Sequence, residues 1–113
     1  MKDELKEKIV LNESQNDGGT VHLYYNEMVG AYTAYGLSAF YVSHVVEPSY
    51  SYSDEMNMPL VIITRRQVLE LRQTLVKEEH RKMEYYRFRT RIPIGEKGYK
   101  TWANEVKRKA RAI

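Results

Sequence analysis

Arg87, Arg89 and Arg91 alternate with Phe88 and Thr90. An extended chain through them sets three guanidinium groups in a row at intervals of roughly 6.7 Å, two strand residues apart. A guanidinium fork binds phosphate oxygens in pairs, and this interval is near the rise between successive phosphates of an extended single strand. The chemistry on offer is therefore contact along a nucleic-acid backbone rather than bond-making. A second cationic set, Lys107, Arg108 and Arg111 with Lys100 and Lys109, coats a segment whose Trp102, Val106, Ala110 and Ile113 recur at helical spacing. Such a helix binds nucleic acid, anionic lipid or an acidic protein patch, or is simply the wet side of a packed helix. The arginine row has plain alternatives too: an edge strand that uses charge to avoid pairing with other chains, or a continuation of the preceding helix to Arg91.

Catalytic chemistry has no comparable pattern. His22, His44 and His80 stand far apart with no paired carboxylate motif beside them. His44 falls on an apolar helical face and reads as a core histidine, His80 as a solvated one. Gly18-Gly19 precedes a strand, whereas a phosphate cradle precedes a helix, and neither glycine-rich nucleotide-binding string occurs. Ser49, Ser51 and Ser53 lie in no nucleophile-elbow setting. The spacing of Glu27, Asp54 and Glu55 imposes no hard-cation site, and the lack of cysteine removes disulfides and thiolate metal sites. The reading is a non-enzymatic chain without cofactor or metal.

Charge is unevenly distributed. Residues 81–113 hold eleven Lys/Arg against three acidic residues, a formal +8, while residues 1–80 hold seven against twelve, a formal −5. That split indicates an anionic partner or a self-complementary surface. A length of 113 residues fits one domain, 1–113, able to bury roughly 65% of its unfolded surface. Met28 to Val46 is a run of nineteen residues without charge, about the length that spans a bilayer. Tyr32, Thr33, Tyr35, Ser38, Tyr41, Ser43 and His44 would place polar groups at membrane depth, so no membrane span is expected. Lys2 to Lys8 mix charge signs ahead of the short apolar run Ile9-Val10-Leu11, which is no secretory signal, and a cytoplasmic location is expected.

The elements that must position these residues follow from pattern. Residues 1–17 read as a loosely ordered or helical segment. Thr20 to Tyr25, behind the Asp17-Gly18-Gly19 turn signal, is β-branched and aromatic, a strand. Gly30 and Gly36 bracket a short second strand, Ala31 to Tyr35, and a helix starts near Gly36 with Leu37, Phe40, Tyr41, His44 and Val45 on one stripe. Pro48 ends it and opens a Ser/Tyr-rich loop or edge strand. Pro59 introduces Leu60-Val61-Ile62-Ile63, read as the central strand. Thr64-Arg65-Arg66-Gln67 matches a capping box, and Val68, Leu71, Leu75 and Val76 predict a helix to about Arg81. Tyr85 to Ile92 is a strand with Tyr86, Phe88, Thr90 and Ile92 facing away from the arginines. After the Pro93-to-Gly98 turn comes the basic C-terminal helix, 99–113. The expected fold is α+β, a small mixed sheet of about four strands with three or four flanking helices.

Two stretches carry a family likeness. Leu23-Tyr24-Tyr25, Met28, Tyr32, Tyr35 and Ala39 fall in order as a hydrophobic strand, a Met- and aromatic-containing turn and a helix, and Met58-Pro59-Leu60-Val61-Ile62-Ile63 precedes Val68 to Val76 as a Pro-led strand before a helix. Over roughly residues 20–80 this order resembles the N-terminal mismatch-recognition domain, domain I, of MutS-type DNA repair proteins. In that family a Phe-x-Glu element stacks its Phe on a mispaired base and hydrogen-bonds it through the Glu. The element falls here on Ala31-Tyr32-Thr33, or on Tyr32-Thr33-Ala34 with a one-residue shift, and neither supplies a carboxylate. The resemblance implies a detached recognition domain with Tyr32 stacking on a base, lacking the polar half of mismatch discrimination and the family's ATPase and clamp domains.

The functional expectation is a domain that binds DNA or RNA, with Arg87, Arg89, Arg91, Lys107, Arg108 and Arg111 on phosphates and Tyr32 on a base. The alternative is a protein-interaction or self-assembly module, a homo-oligomer in which basic residues 81–113 meet acidic residues 1–80 of a neighbour. A third reading is a small-molecule pocket lined by Tyr24, Tyr35, Tyr41 and Tyr52.

Overall fold

A tight turn at Gly30 folds the centre of the sheet. In the computed structural model, β1 (Thr20–Asn26) and β2 (Ala31–Tyr35) form a hairpin closed by the Gly30 N–H on the Asn26 carbonyl at 2.9 Å. Gly30 has φ +62°, a backbone conformation that L side chains rarely adopt. The structure describes residues 3–82, 85–92 and 94–111, with 77–82 described by backbone alone. β4 (Met58–Ile63) and β3 (Ser49–Ser53) add to the β2 side, and β6 (Tyr85–Thr90) and β5 (Leu75–Lys82) to the β1 side. The order is β3-β4-β2-β1-β6-β5, and every pairing is antiparallel.

The α+β class holds, but the sheet is larger than about four strands and is not mixed. Both additions are edge strands, and β4 lies one place in from the β3 edge rather than at the centre. Among the described residues four helices flank the sheet: α1 (Asp3–Ser14), α2 (Gly36–Val45), α3 (Arg65–Arg72) and α4 (Tyr99–Arg111). The uncharged run from Met28 to Val46 is divided among the hairpin turn, β2 and α2. No helix of the described residues is long and apolar enough to cross a membrane.

The helix predicted to reach Arg81 stops at Arg72. Its start is as read, with Thr64 and Gln67 forming both bonds of a capping box. Its end is set by Thr74, whose hydroxyl donates to the Leu71 carbonyl at 2.8 Å and accepts from Tyr41 Oη at 2.8 Å. Leu75 then enters the core while Val76 is 56% exposed, the alternation of a strand. β6 needs a partner along its outer side, and pairing with β5 outweighs local helical spacing. For the same reason β6 is an interior strand, which removes the reading of its arginines as edge protection.

The two faces of the sheet have different covers. On one, Val21, Leu23, Ala34, Val61, Ile63 and Phe88 pack against Ala39, Tyr41 and Val42 of α2 and Val68 and Leu71 of α3, with Trp102 of α4 at the margin. Each Val, Leu, Ile or Phe side chain among them contributes about 1.5–3 kcal/mol on removal from water. On the other face α1 lays Ile9 against Tyr24, Tyr35 and Tyr85. α2, enclosed by the sheet, α1 and α4, buries every residue from Gly36 to Val42 instead of a single stripe, and leaves His44 exposed at its end. His44 is therefore no core histidine; its Nδ1 bonds the Phe40 carbonyl at 2.7 Å.

Candidate nucleic-acid interface

The alternation expected of β6 is present over its own length. Phe88 and Thr90 are buried and Tyr86 is half-buried, while Arg87 and Arg89 are exposed on the α1 side. The row stops there: Arg91 lies in a bend beyond the strand, its N–H on the Thr74 carbonyl at 3.2 Å, and Ile92, expected to follow Phe88 inward, is 79% exposed. A different cation takes the third place. Tyr85 faces the same side as Arg87 and Arg89, and Lys8 of α1 sits with Nζ 3.9 Å above its ring centre. Tyr85, Arg87 and Arg89 thus follow one another along β6 at the two-residue strand interval of roughly 6.7 Å, with Lys8 over the first of them. On β5 the register places Lys77 opposite Arg89 and His80 opposite Arg87.

Lys8 is in line only because α1 is docked, and a buried polar network docks it. Tyr35, the N-cap of α2, offers no side-chain bond to the helix start. Glu13 of α1 supplies it across the chain: Oε1 accepts from Ser38 N at 3.0 Å and Asn16 Nδ2 at 3.1 Å, and Oε2 from Ser38 Oγ at 2.7 Å. Ser38 Oγ in turn accepts from the N–H of His22 in β1 at 3.0 Å. Gly36 has φ +57°, and a Cβ there would come within 3.3 Å of Glu13 Cγ, so the carboxyl approaches the helix start over bare backbone. Burial pushes the Glu13 carboxyl up to about 7 despite the donors from Ser38 and Asn16, which favour its charged form.

A second group of bonds carries the docking to β6. The Tyr85 hydroxyl lies 2.7 Å from His22 Nδ1, with donor and acceptor set by the imidazole tautomer, and the two rings stack within 8° of parallel. Asn12 Nδ2 donates to Tyr24 Oη at 2.9 Å and to Tyr85 Oη at 3.4 Å. Burial raises the titration of both phenols above the usual tyrosine range, so at neutral pH both stay neutral hydroxyls that accept from Asn12. A cavity of about 530 Å³ opens beside Glu13, between Gly36, Met58 and Tyr99. The donors on Glu13 come from its own chain, and the carboxyl serves as a helix cap rather than as a wall group free for a ligand.

The other expected contacts are dispersed. Tyr32 is 8% exposed, its ring centre 5.2 Å from that of Tyr25 and 5.9 Å from that of Tyr86, so no ring face is offered to a base. Lys107 Nζ and Arg111 Cζ lie 5.3 and 5.7 Å from the centre of the Tyr52 ring, and Arg111 also pairs with Asp54. Arg108 is exposed on the outer side of α4. β3, beneath α4, is four strand positions from β6, roughly 19 Å at 4.8 Å each, and α4 lies on the opposite face from Arg87 and Arg89. The basic third of the chain is therefore two surfaces.

The tyrosine pocket is not formed either, because Tyr24 and Tyr35 lie under α1, Tyr41 bonds Thr74 on the other face, and Tyr52 lies beneath the cations of α4. Among the described residues no three acidic or histidine side chains gather to hold a metal; Asp54 takes Arg111, and Glu55 takes Lys6 at 3.9 Å. Sequence reasoning missed Lys8, Asn12, Glu13, Asn16 and Ser38. Ile9 within a charged segment was the only hint that α1 docks, and nothing local indicated on what. No protein-family model, curated protein or solved structure matches the chain.

Proposed function

We propose that this is a non-enzymatic nucleic-acid-binding domain that contacts the phosphate backbone of DNA or RNA through the α1 side of β6. The observation that carries the reading is the pair Arg87 and Arg89, exposed one strand interval apart on one face of an interior strand, with the exposed Lys8 over the neighbouring Tyr85. A flat row of this kind tracks a backbone and supplies affinity without base identity. Lys107, Arg108 and Arg111 form a second surface, which a long ligand meets only by wrapping the β3 end of the sheet. The hairpin, α2, β4 and α3 keep the order that suggests a stand-alone MutS domain I-like module, although burial of Tyr32 argues against its stacking role.

The test is titration of labelled duplex and single-stranded DNA at several salt concentrations. Three phosphate contacts predict a slope of log K against log salt of about −3 for duplex and about −2 for single strands. Arg87→Ala/Arg89→Ala should leave a slope near −1. Absence of saturable binding at low salt, or an unchanged slope in the double variant, refutes the reading.

A further inference from the structure

The two edges of the sheet are built differently. The ladder of β5 shifts register twice, between Leu75 and Lys77 and between Glu78 and His80, and every residue from Lys77 to Lys82 is ionisable. Irregularity and charge of this kind keep foreign strands away. β3 has neither: all five residues pair with β4 in unbroken register, none is charged, and Tyr50 is 43% exposed. α4 packs over this edge, with Trp102 against Tyr50 at 6.4 Å and Lys107 and Arg111 over Tyr52. Beside Tyr50, under α4, is a recess of about 550 Å³ with Glu47, Glu105, Tyr50 and Trp102 in its walls. Neither carboxylate has an ion pair among the described residues, although Lys109 lines the same recess.

We propose that the β3 edge docks an extended segment of another protein, which adds to the sheet as a seventh strand and places an arginine or lysine side chain in the recess between Glu47 and Glu105. Backbone hydrogen bonds to the open edge supply the attachment, and alternate side chains of the added strand face α4. The side chain opposite Tyr50 meets two carboxylates and two aromatic rings, a setting that attracts a cation by charge and by the ring faces together. Two residues along, the side chain opposite Tyr52 meets Lys107 and Arg111, so an acidic residue there completes the match. A second copy of this chain fits poorly. The β3 strand of a second copy, Ser-Tyr-Ser-Tyr-Ser, offers no cation for the recess and no acid for Lys107 and Arg111. The inference is independent of phosphate contact, which uses the other face and the other end of the sheet.

Trp102 is the only tryptophan of the chain, so its emission reports occupancy of the recess. The probe is a capped peptide, Thr-Val-Arg-Val-Glu-Val-Thr, titrated onto the full chain, with amide exchange followed in parallel. Expected are a saturable change in Trp102 emission, slowed exchange along β3, and binding weakened about tenfold in Glu47→Gln/Glu105→Gln or when the peptide's Arg is replaced by Glu. Both glutamates are exposed, so the variant keeps its fold. Equal binding of the two peptides, unslowed β3 amides, or no saturation overturns the proposal. So does a chain that sediments as a dimer which the peptide does not dissociate, because the occupant is then a second copy.

Discussion

The α1 side of β6 and the outer part of α4 are both cationic, and they are held in opposite ways. At β6, Arg87 and Arg89 stand on an interior strand and Lys8 on α1, which a buried network of Glu13, Asn16, Ser38 and His22 joins to α2 and β1. On α4 two of the cations turn back onto Tyr52 and Asp54 of their own chain. Similar composition thus gives cations along an interior strand at one end of the sheet, and at the other cations on a helix that rests on exposed residues beside an open strand edge. Charge counted along a sequence reports neither arrangement. What separates the two is whether the element beneath is fixed by buried bonds or by exposed ones.

The contrast can be broken at the point where both regions meet. Gly18, in the loop from α1 to β1, has φ +91°, and a Cβ there would lie 2.7 Å from the backbone of Gly95, in the loop from β6 to α4. Gly18→Ala should therefore cost about 3 kcal/mol or more, from backbone strain plus displacement of the facing loop, and loosen both regions together. Urea unfolding checks it; a loss under 1 kcal/mol would show that the loops are not the shared support.

Glu13 separates the β6 side from the α4 side. Its carboxyl titrates at about 7 in the folded chain against 4.5 ordinarily, so between those pH values the folded state holds a proton that the unfolded state releases. Stability should fall as pH rises through that window, by up to about 3 kcal/mol, and level off above it. Glu13→Gln should flatten the profile of urea midpoint against pH. A wild-type profile that rises from pH 5 to 7.5 would mean that the donors from Ser38 and Asn16, not burial, govern this group.

The smallest effect belongs to α4. Arg111 and Asp54 side chains are 56% and 74% exposed, and their pair should contribute no more than about 1 kcal/mol once solvent screening is counted. Asp54→Asn should shift the urea midpoint only slightly. A loss comparable to that in a Glu13 variant would erase the distinction drawn between the two regions.

Much of the fold is legible from local pattern. Gly30 and Gly36 bracket β2, Thr64 and Gln67 start α3, and the alternation around Arg87 and Arg89 marks β6, because each is a short-range property of turn, cap or pleat. Leu75 and Val76 were not legible: they continue a helical spacing, and only the unpaired side of β6 makes them a strand. The candidate site was half visible. Arg87 and Arg89 could be read in register, but Arg91 depends on where β6 ends, Tyr32 on what packs over it, and Lys8 on the docking of a helix some eighty residues away in the chain.

By itself the sequence determines the element boundaries that have local chemistry, the charge imbalance, and the absence of any thiol chemistry. Tertiary structure alone decides that the imbalance divides into two surfaces on opposite faces, that β6 lies inside the sheet while β3 is open, and that Lys8 rather than Arg91 completes the row. The physical reason is the range of the forces involved. Turns and caps are fixed within a few residues, whereas strand pairing and the burial of Glu13 bring together segments that share nothing in sequence.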